Sequence, residues 1–350
     1  MRRINPPKRE SLLIDGGEIE PGFKGYIPLP IAGMLGGGET ALPLHCVRGA
    51  SSGPVLAVQA CVHGDEPQPV RALHNVLKKI DAEKFRGTLL MIPVANPFAF
   101  ADFSRQSPDQ HEQTNLWGAF PGNPKGTLTQ RYAAKIREAL IDNADFFAEF
   151  HSGGRAGRIQ NRVDMDPGVK DPEVKGSAGK KARTMALAFA RGGAGLVHGV
   201  PLSKASAPGY ALSRGIPAIS VEIGGAYLPE AEEALYRRCL EEGLWNLMVH
   251  LGMLAGRERR SRLTYFDVSH RAEVNPSAGG YLLSRKTRFA DIGGRVRKGQ
   301  LLGEMLDPYT LEVTEELRSP SDGILFFSRC SGPVEVGNKG FAIATKTKKI

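Results

Sequence analysis

The chain has 350 residues, enough for more than one domain, because single hydrophobic cores stop growing near about 250–300 residues. Its composition is 41% hydrophobic and 24% charged, as in ordinary globular proteins, and no apolar run approaches the ~20 residues of a membrane-spanning helix. The net charge of +9 is spread along the chain; its densest runs, GRERRSR at 256–262 and TKTKKI at the C-terminus, lack interleaved aromatics, so specific nucleic-acid binding is not expected. The basic start, MRRINPPKRE, has no apolar core behind it and is not read as a secretory signal. Cys46, Cys61, Cys239 and Cys330 are scattered without a Cys-x-x-Cys pair, which argues against a thiolate metal cluster or disulfide framework and suits a reducing compartment. A cytoplasmic location is the expectation.

Residues 54–62, PVLAVQACV, form an apolar, β-rich run, and Val70, Leu73, Val76, Leu77 and Ile80 then recur at helical spacing. Strand, short loop and helix therefore follow one another, with Pro67 and Pro69 in a first turn. The unit recurs as a strand at 87–94, a helix at 127–141 with Leu128, Tyr132, Ile136 and Leu140 on one face, and a strand at 145–150. A glycine-rich and basic loop is expected from about 152 to 180. Helix KARTMALAFAR, strand AGLVHGV, strand 216–223 and a long helix around 229–254 complete the region. This alternation predicts an α/β fold, a mixed, largely parallel sheet flanked by helices, with ligands collecting at the carboxyl ends of the strands.

From about 263 the texture changes to short strands and glycine turns. GRVRKG (294–299) and GPVEVG (332–337) share the pattern Gly-x-Val-x-x-Gly, so a small all-β domain with internal pseudo-symmetry is expected. The division is placed as 1–262 and 263–350, with 256–262 as linker.

His63 and Glu66 sit three positions apart where the first strand hands over to its helix, and His151 ends the strand DFFAEF. Together they make a set of two histidines and one glutamate, which suits Zn2+ with a fourth position left for water. Two polar loop histidines and a solvated glutamate are the alternative. His-x-x-Glu alone is weak: the chain contains a second copy, His270 and Glu273, with no following helix and no third ligand nearby, and that copy is assigned to surface structure. Glu222 lies near the end of the apolar strand IPAISVEI, where an ionised carboxylate is costly unless paired or facing a polar cleft. It is either a proton acceptor facing zinc-bound water or one half of a structural salt bridge.

HGDE (63–66), NPFAF (96–100), SRQSPD (104–109), FPG (120–122), EFHSGG (149–154) and VEIGG (221–225) occur in an order and at separations that resemble the succinylglutamate desuccinylase and aspartoacylase family, a branch of the zinc carboxypeptidase clan. The resemblance spans about residues 54–225. It implies one Zn2+ per chain held by His63, Glu66 and His151, Glu222 as general acid/base, and Arg105 as the arginine that polarises the scissile carbonyl and stabilises its oxyanion. Ser152 resembles a nucleophile only superficially and is read as loop structure. The implied activity is a zinc-dependent amidohydrolase that removes the acyl group of a small N-acylated amino acid or amine. A carboxypeptidase-type peptidase and a non-catalytic binding protein on the same scaffold are the competing readings. A small N-acyl compound is the expected partner, without membrane or specific nucleic acid, and a homo-oligomer is compatible with the chain.

One departure bears on the substrate. Family members commonly carry an Asn-Arg pair that grips a substrate carboxylate before x-Phe-Pro-Gly, whereas this chain reads Asn115-Leu-Trp117-Gly118-Ala-Phe-Pro-Gly. Tryptophan and glycine cannot supply bidentate guanidinium binding. Either an arginine after His151 (Arg155, Arg158 or Arg162) takes over, or the substrate lacks that carboxylate. Trp117 offers a flat wall or cation-π face, or packs in the core. The C-terminal segment resembles a biotinyl/lipoyl-type barrel-sandwich, but no lysine occurs from Gly299 through Asn338, which excludes a swinging prosthetic arm. This domain is expected to wall the mouth of the site.

Overall fold

Four parallel strands, Ala218–Gly224, Phe146–His151, Ser51–Ala60 and Arg86–Ile92, lie side by side at the centre of the fold in that order. The structure is a computed structural model that describes residues 11–108, 112–168 and 176–350. The basic start of the chain, Asp109 of the SRQSPD motif and part of the expected basic loop lie outside the described residues. Successive side chains of a strand point to opposite faces. Leu56, Val58 and Ala60 accordingly enter one core, with Ala148, Phe150, Val221 and Ile223, while Val55, Ala57, Phe147 and Ala218 enter another on the opposite face. Burial on both faces is why these strands read as continuous apolar runs.

Helices cover each face as their apolar spacing requires. Gln68–Lys79, Ser177–Phe189 and Glu230–His250 bury Leu73 and Val76, Met185 and Ala186, and Leu240, Leu244 and Leu247 on the first face. Leu128–Ala139 buries Tyr132 and Ile136 on the second, joined by the short helix Ala207–Ser213. The expected mixed, largely parallel sheet flanked by helices is therefore present. Antiparallel strands extend it at both sides. Glu39–Arg48 and Lys24–Gly33 add an edge beyond Arg86–Ile92, and Pro28 and Pro30 in the outermost strand fit an edge position, where a missing N–H breaks no ladder.

The expectation of a loop from about 152 to 180 fails over Gly157–Met165. Gly157–Met165 is a nine-residue strand, antiparallel to Ala218–Gly224, where a loop was expected. Its pattern is period two, with Ile159, Val163 and Met165 buried on one side and Arg158, Gln160, Arg162 and Asp164 on the other. That polar face hid the strand from a reading based on apolar runs.

Beyond residue 263 the chain is all short strands apart from one turn of 3-10 helix at Val268–His270. Gly280–Ser284, Leu301–Leu306, Val313–Arg318 and Gly332–Val334 form a four-stranded antiparallel sheet. It packs through Leu282, Leu302, Met305 and Leu317 against Leu325, Phe341 and Ile343 of a second set of strands. The two Gly-x-Val-x-x-Gly repeats occupy matching places: Val296 and Val334 are both buried in this core, and Gly299 and Gly337 both turn the chain at positive φ, 79° and 75°.

The second set of strands belongs to the large sheet. Gly323–Arg329 pairs with Gly157–Met165, and Thr264–Asp267 runs parallel to Leu196–Gly199. The division at 262/263 thus stands as a proposal about a change of architecture, across which the sheet is continuous. Phe266, Phe326, Ala342 and Ala344 pack with Leu196 at this seam. Deleting residues 263–350 is expected to leave an insoluble protein or one with a much lower melting temperature, because each uncovered large apolar side chain costs about 2 kcal/mol. Thermal melts of the truncated chain check this; a wild-type transition would contradict it.

Candidate functional site

At the end of the Ser51–Ala60 strand the chain turns through Cys61, whose φ of 49° is uncommon for a residue other than glycine. The turn then presses against the segment that follows the Arg86–Ile92 strand. Asn96 N–H donates to the Cys61 carbonyl at 3.1 Å, and Asp65 N–H donates to the Ser104 carbonyl at 3.1 Å. Gly64 lies so close that a Cβ there would sit 1.9 Å from the Ala99 carbonyl carbon. Only glycine permits this approach, which brings His63 and Glu66 inward and sets Arg105 above them. Asn96 fixes the other side of the contact by capping the helix Pro97–Ala101, its Oδ1 accepting from Ala99 N–H.

His63, Glu66 and His151 converge. All three are buried, and one ligand-type atom from each lies within 4.8 Å of the others. The Glu66 carboxylate stands between the rings: Oε1 is 2.9 Å from His63 Nδ1, and Oε2 is 2.9 Å from His151 Nδ1. Oε1 also accepts from Arg105 Nη1 at 3.2 Å, and Oε2 from Ser152 N–H at 3.1 Å. Burial alone pushes the Glu66 carboxyl up, but His63 and His151 outweigh it and hold the group well below the usual carboxylate range. His151 moves the opposite way: burial lowers it, and Glu149 and Glu66 together raise it well above the ordinary histidine value.

Glu149, which the sequence reading passed over, sits two residues before His151 on the same face of the strand. It is fully buried, accepting from Gln59 Nε2 at 2.6 Å and lying 2.8 Å from His151 Nε2. A carboxylate on the far nitrogen of a ligating histidine orients the ring and raises its basicity. The available signal was a charged residue within an apolar strand, the same signal that drew attention to Glu222. His63 Nε2 is buried without a hydrogen-bond partner among the described residues. The N, O, N donor set, the crowding of two imidazoles on one carboxylate and the Glu149 contact all fit a divalent metal such as zinc.

Glu222 is the Cα partner of His151 in the neighbouring parallel strand, so its side chain leaves the same face of the sheet beside the three candidate ligands. Burial pushes its carboxyl up to about 7, against the opposing pull of Arg162 and His151. It does make an ionic contact, 3.6 Å from Arg162 Nη2, but a loose one. Arg105 is 61% exposed along its side chain and reaches in from the rim.

The remaining candidates are placed less centrally. Asn115 spends its side-chain oxygen on Trp117 N–H at 3.0 Å, capping the one-turn 3-10 helix Leu116–Gly118. Trp117 is 37% exposed and so is not a core residue. Arg155 lies over the Phe103 ring, 5.7 Å from its centroid, at an exposed position four residues after His151. Arg158 and Arg162 stand on a strand, not in a loop; Arg158 Nη1 donates to the Gly157 carbonyl, and Arg162 is buried against Asp164. Ser152 Oγ donates to Gln68 Oε1 at 2.8 Å, consistent with loop structure. The second His-x-x-Glu is on the surface, with Glu273 paired to Arg271 and Lys339.

Known proteins resemble this chain in sequence and in fold. The sequence model of the succinylglutamate desuccinylase/aspartoacylase catalytic domain matches residues 52–242. An N-alpha-acetyl-L-2,4-diaminobutyric acid deacetylase from Halomonas elongata is 26% identical over 329 residues, covering 91% of this chain and 90% of that protein. Two solved structures share the fold. A succinylglutamate desuccinylase from Silicibacter sp. TM1040 has a TM-score of 0.80 at 23% identity, covering 98% of this chain and 99% of the other. The product-bound ectoine utilization protein EutE (DoeB) from Ruegeria pomeroyi has a TM-score of 0.78 at 24% identity, covering 93% and 95%. With the motifs in place and more than half of the chain matched, this protein belongs to the succinylglutamate desuccinylase/aspartoacylase family and is a hydrolytic enzyme of its deacylase type.

Proposed function

We propose that the protein is a zinc-dependent deacylase that cleaves the amide bond of a small N-acylated amino acid or amine, with His63, Glu66 and His151 holding one zinc ion per chain. The observation that carries this reading is the meeting of those three buried side chains beside Glu222 and Arg105. Zinc, when bound, supplies a Lewis acid that brings the pKa of water down to about 7. Glu222, raised by burial toward the same range, takes up a proton and delivers it to the leaving nitrogen. Arg105 has donors to spare beyond Glu66 and turns them to the oxygen on which negative charge develops. His151 keeps its ring orientation through Glu149.

For the substrate, the Halomonas elongata relative points to an N-acetylated diamino acid. Such a compound has a carboxylate and an ammonium group. Arg155, stacked on Phe103 and in no ion pair among the described residues, is our choice to meet the carboxylate in place of the missing Asn-Arg pair. Arg158 and the Nδ2 of Asn115 are further donors, and the exposed Trp117 face is suited to the ammonium. The partner is thus a small molecule, with no nucleic acid or membrane involved, and we place the enzyme in the cytoplasm. Among the described residues, no helix is long and apolar enough to cross a membrane.

Acetate release from N-α-acetyl-L-2,4-diaminobutyrate and a panel of other N-acyl amino acids tests the reading. Turnover that needs zinc supports it; amino-acid release from free peptides instead would favour a carboxypeptidase. Glu222→Gln is expected to lower kcat by about 10²–10⁴-fold with zinc content unchanged, as steady-state kinetics and metal analysis will show. Glu149→Gln removes the charge behind His151 and is expected to weaken zinc binding by about 10–100-fold, read by competition with a chromophoric chelator.

A further inference from the structure

The register of the sheet places a second polar group directly behind Glu222. Glu222 is the Cα partner of His151 on one side and of Arg162 on the other. One row along, Ser220, Asp164, His198 and Phe266 are successive partners across four strands. Partners and alternate residues share a face, so Glu222, Arg162, Asp164, His198 and Phe266 all project from the same side of the sheet.

Their contacts form a chain. Arg162, 8% exposed, donates from Nε to Asp164 Oδ1 at 2.7 Å and from Nη2 to Oδ2 at 3.2 Å. Nη2 also lies 3.6 Å from Glu222 Oε1. Asp164 Oδ1 takes a third contact from His198 Nδ1 at 3.1 Å, and the His198 ring stacks on Phe266 at 4.3 Å between centroids and 15° between planes. Phe326 lies over the Arg162 guanidinium at 5.5 Å and packs on Phe266 at 5.0 Å. Both phenylalanines come from the segment after residue 263.

The distances decide what this arrangement does. A forked guanidinium–carboxylate pair fixes the plane of the arginine. Here the fork is spent on Asp164, and the contact to Glu222 is almost an ångström longer than the shortest contact to Asp164. Arg162 can therefore attract the Glu222 carboxylate without capturing its lone pairs. Without the fork, the buried guanidinium would be free to close on the half-buried Glu222 carboxylate.

We propose that Arg162, fixed by Asp164 and His198 and roofed by Phe326, is a positioning residue that holds Glu222 in place while leaving its carboxylate free to accept a proton. This rests on the assignment of Glu222 as general base. It also gives the β-rich C-terminal segment a part in catalysis through the back of the site.

Asp164→Asn, His198→Phe and His198→Asn in the full-length zinc-loaded protein test it. With N-α-acetyl-L-2,4-diaminobutyrate or the best N-acyl compound of the panel, Asp164→Asn and His198→Phe are expected to lower kcat about 10–100-fold, with KM and zinc content unchanged. His198→Asn, whose amide reaches the place of Nδ1, is expected to restore much of the loss. An unchanged kcat would overturn the proposal, and so would a raised KM at constant kcat, which would make Arg162 a substrate clamp. A crystal structure of Asp164→Asn decides the matter without turnover. Closure of Arg162 onto Glu222 is expected, and an undisturbed separation overturns the proposal. Absence of turnover in the wild type with that closure present would count against the deacylase reading alone.

Discussion

Two imidazoles packed against one carboxylate in a buried site make the contact on which the rest of the arrangement depends. Glu66 alone accepts from two histidines, an arginine and a backbone N–H, and its burial would be unfavourable without them. The cluster is held from outside. Glu149 braces His151, Gln59 braces Glu149, and the close approach at Gly64 leaves the His63–Glu66 turn no room to shift. A divalent ion exchanged for the protons between these groups would find its ligands already oriented, so little ordering remains to oppose binding.

The sheet supplies the precision. Because the central strands are parallel, their carboxyl ends lie together, so the turn after Ser51–Ala60 delivers His63 and Glu66 beside His151, the last residue of the neighbouring strand. Register then does the rest: Glu222 falls opposite His151 and Arg162 opposite Glu222, each on the same face. A one-residue slip would send these side chains into the apolar core on the other side. The large flanking cores fix that register. The polar residues between them could not, since their contacts depend on it.

Much of this was legible in the sequence where chemistry sat on an apolar background. The His63–Glu66 pair stood out because a strand handed over to a helix there, and the same spacing at His270–Glu273, without that setting, is surface structure with its glutamate paired to Arg271 and Lys339. Glu222 was visible as a carboxylate in an apolar run. The Gly157–Met165 strand was not, because its polar alternation, Arg158, Gln160, Arg162 and Asp164, imitates a basic loop. Missing the strand also hid the Arg162–Asp164–His198 chain, two members of which come from that strand and the third from Leu196–Gly199. Glu149 was overlooked although it obeys the rule that exposed Glu222. The outer strands Lys24–Gly33 and Glu39–Arg48 lacked a continuous apolar signal, and prolines at 28 and 30 masked the first of them.

The proposed chemistry depends on metal binding by three buried side chains, His63, Glu66 and His151. Diffraction from crystals of zinc-loaded protein, collected on both sides of the zinc absorption edge, tests it most directly. The account predicts one anomalous peak per chain, bounded by His63, Glu66 and His151. A peak elsewhere, or none at full occupancy of the protein, would contradict it.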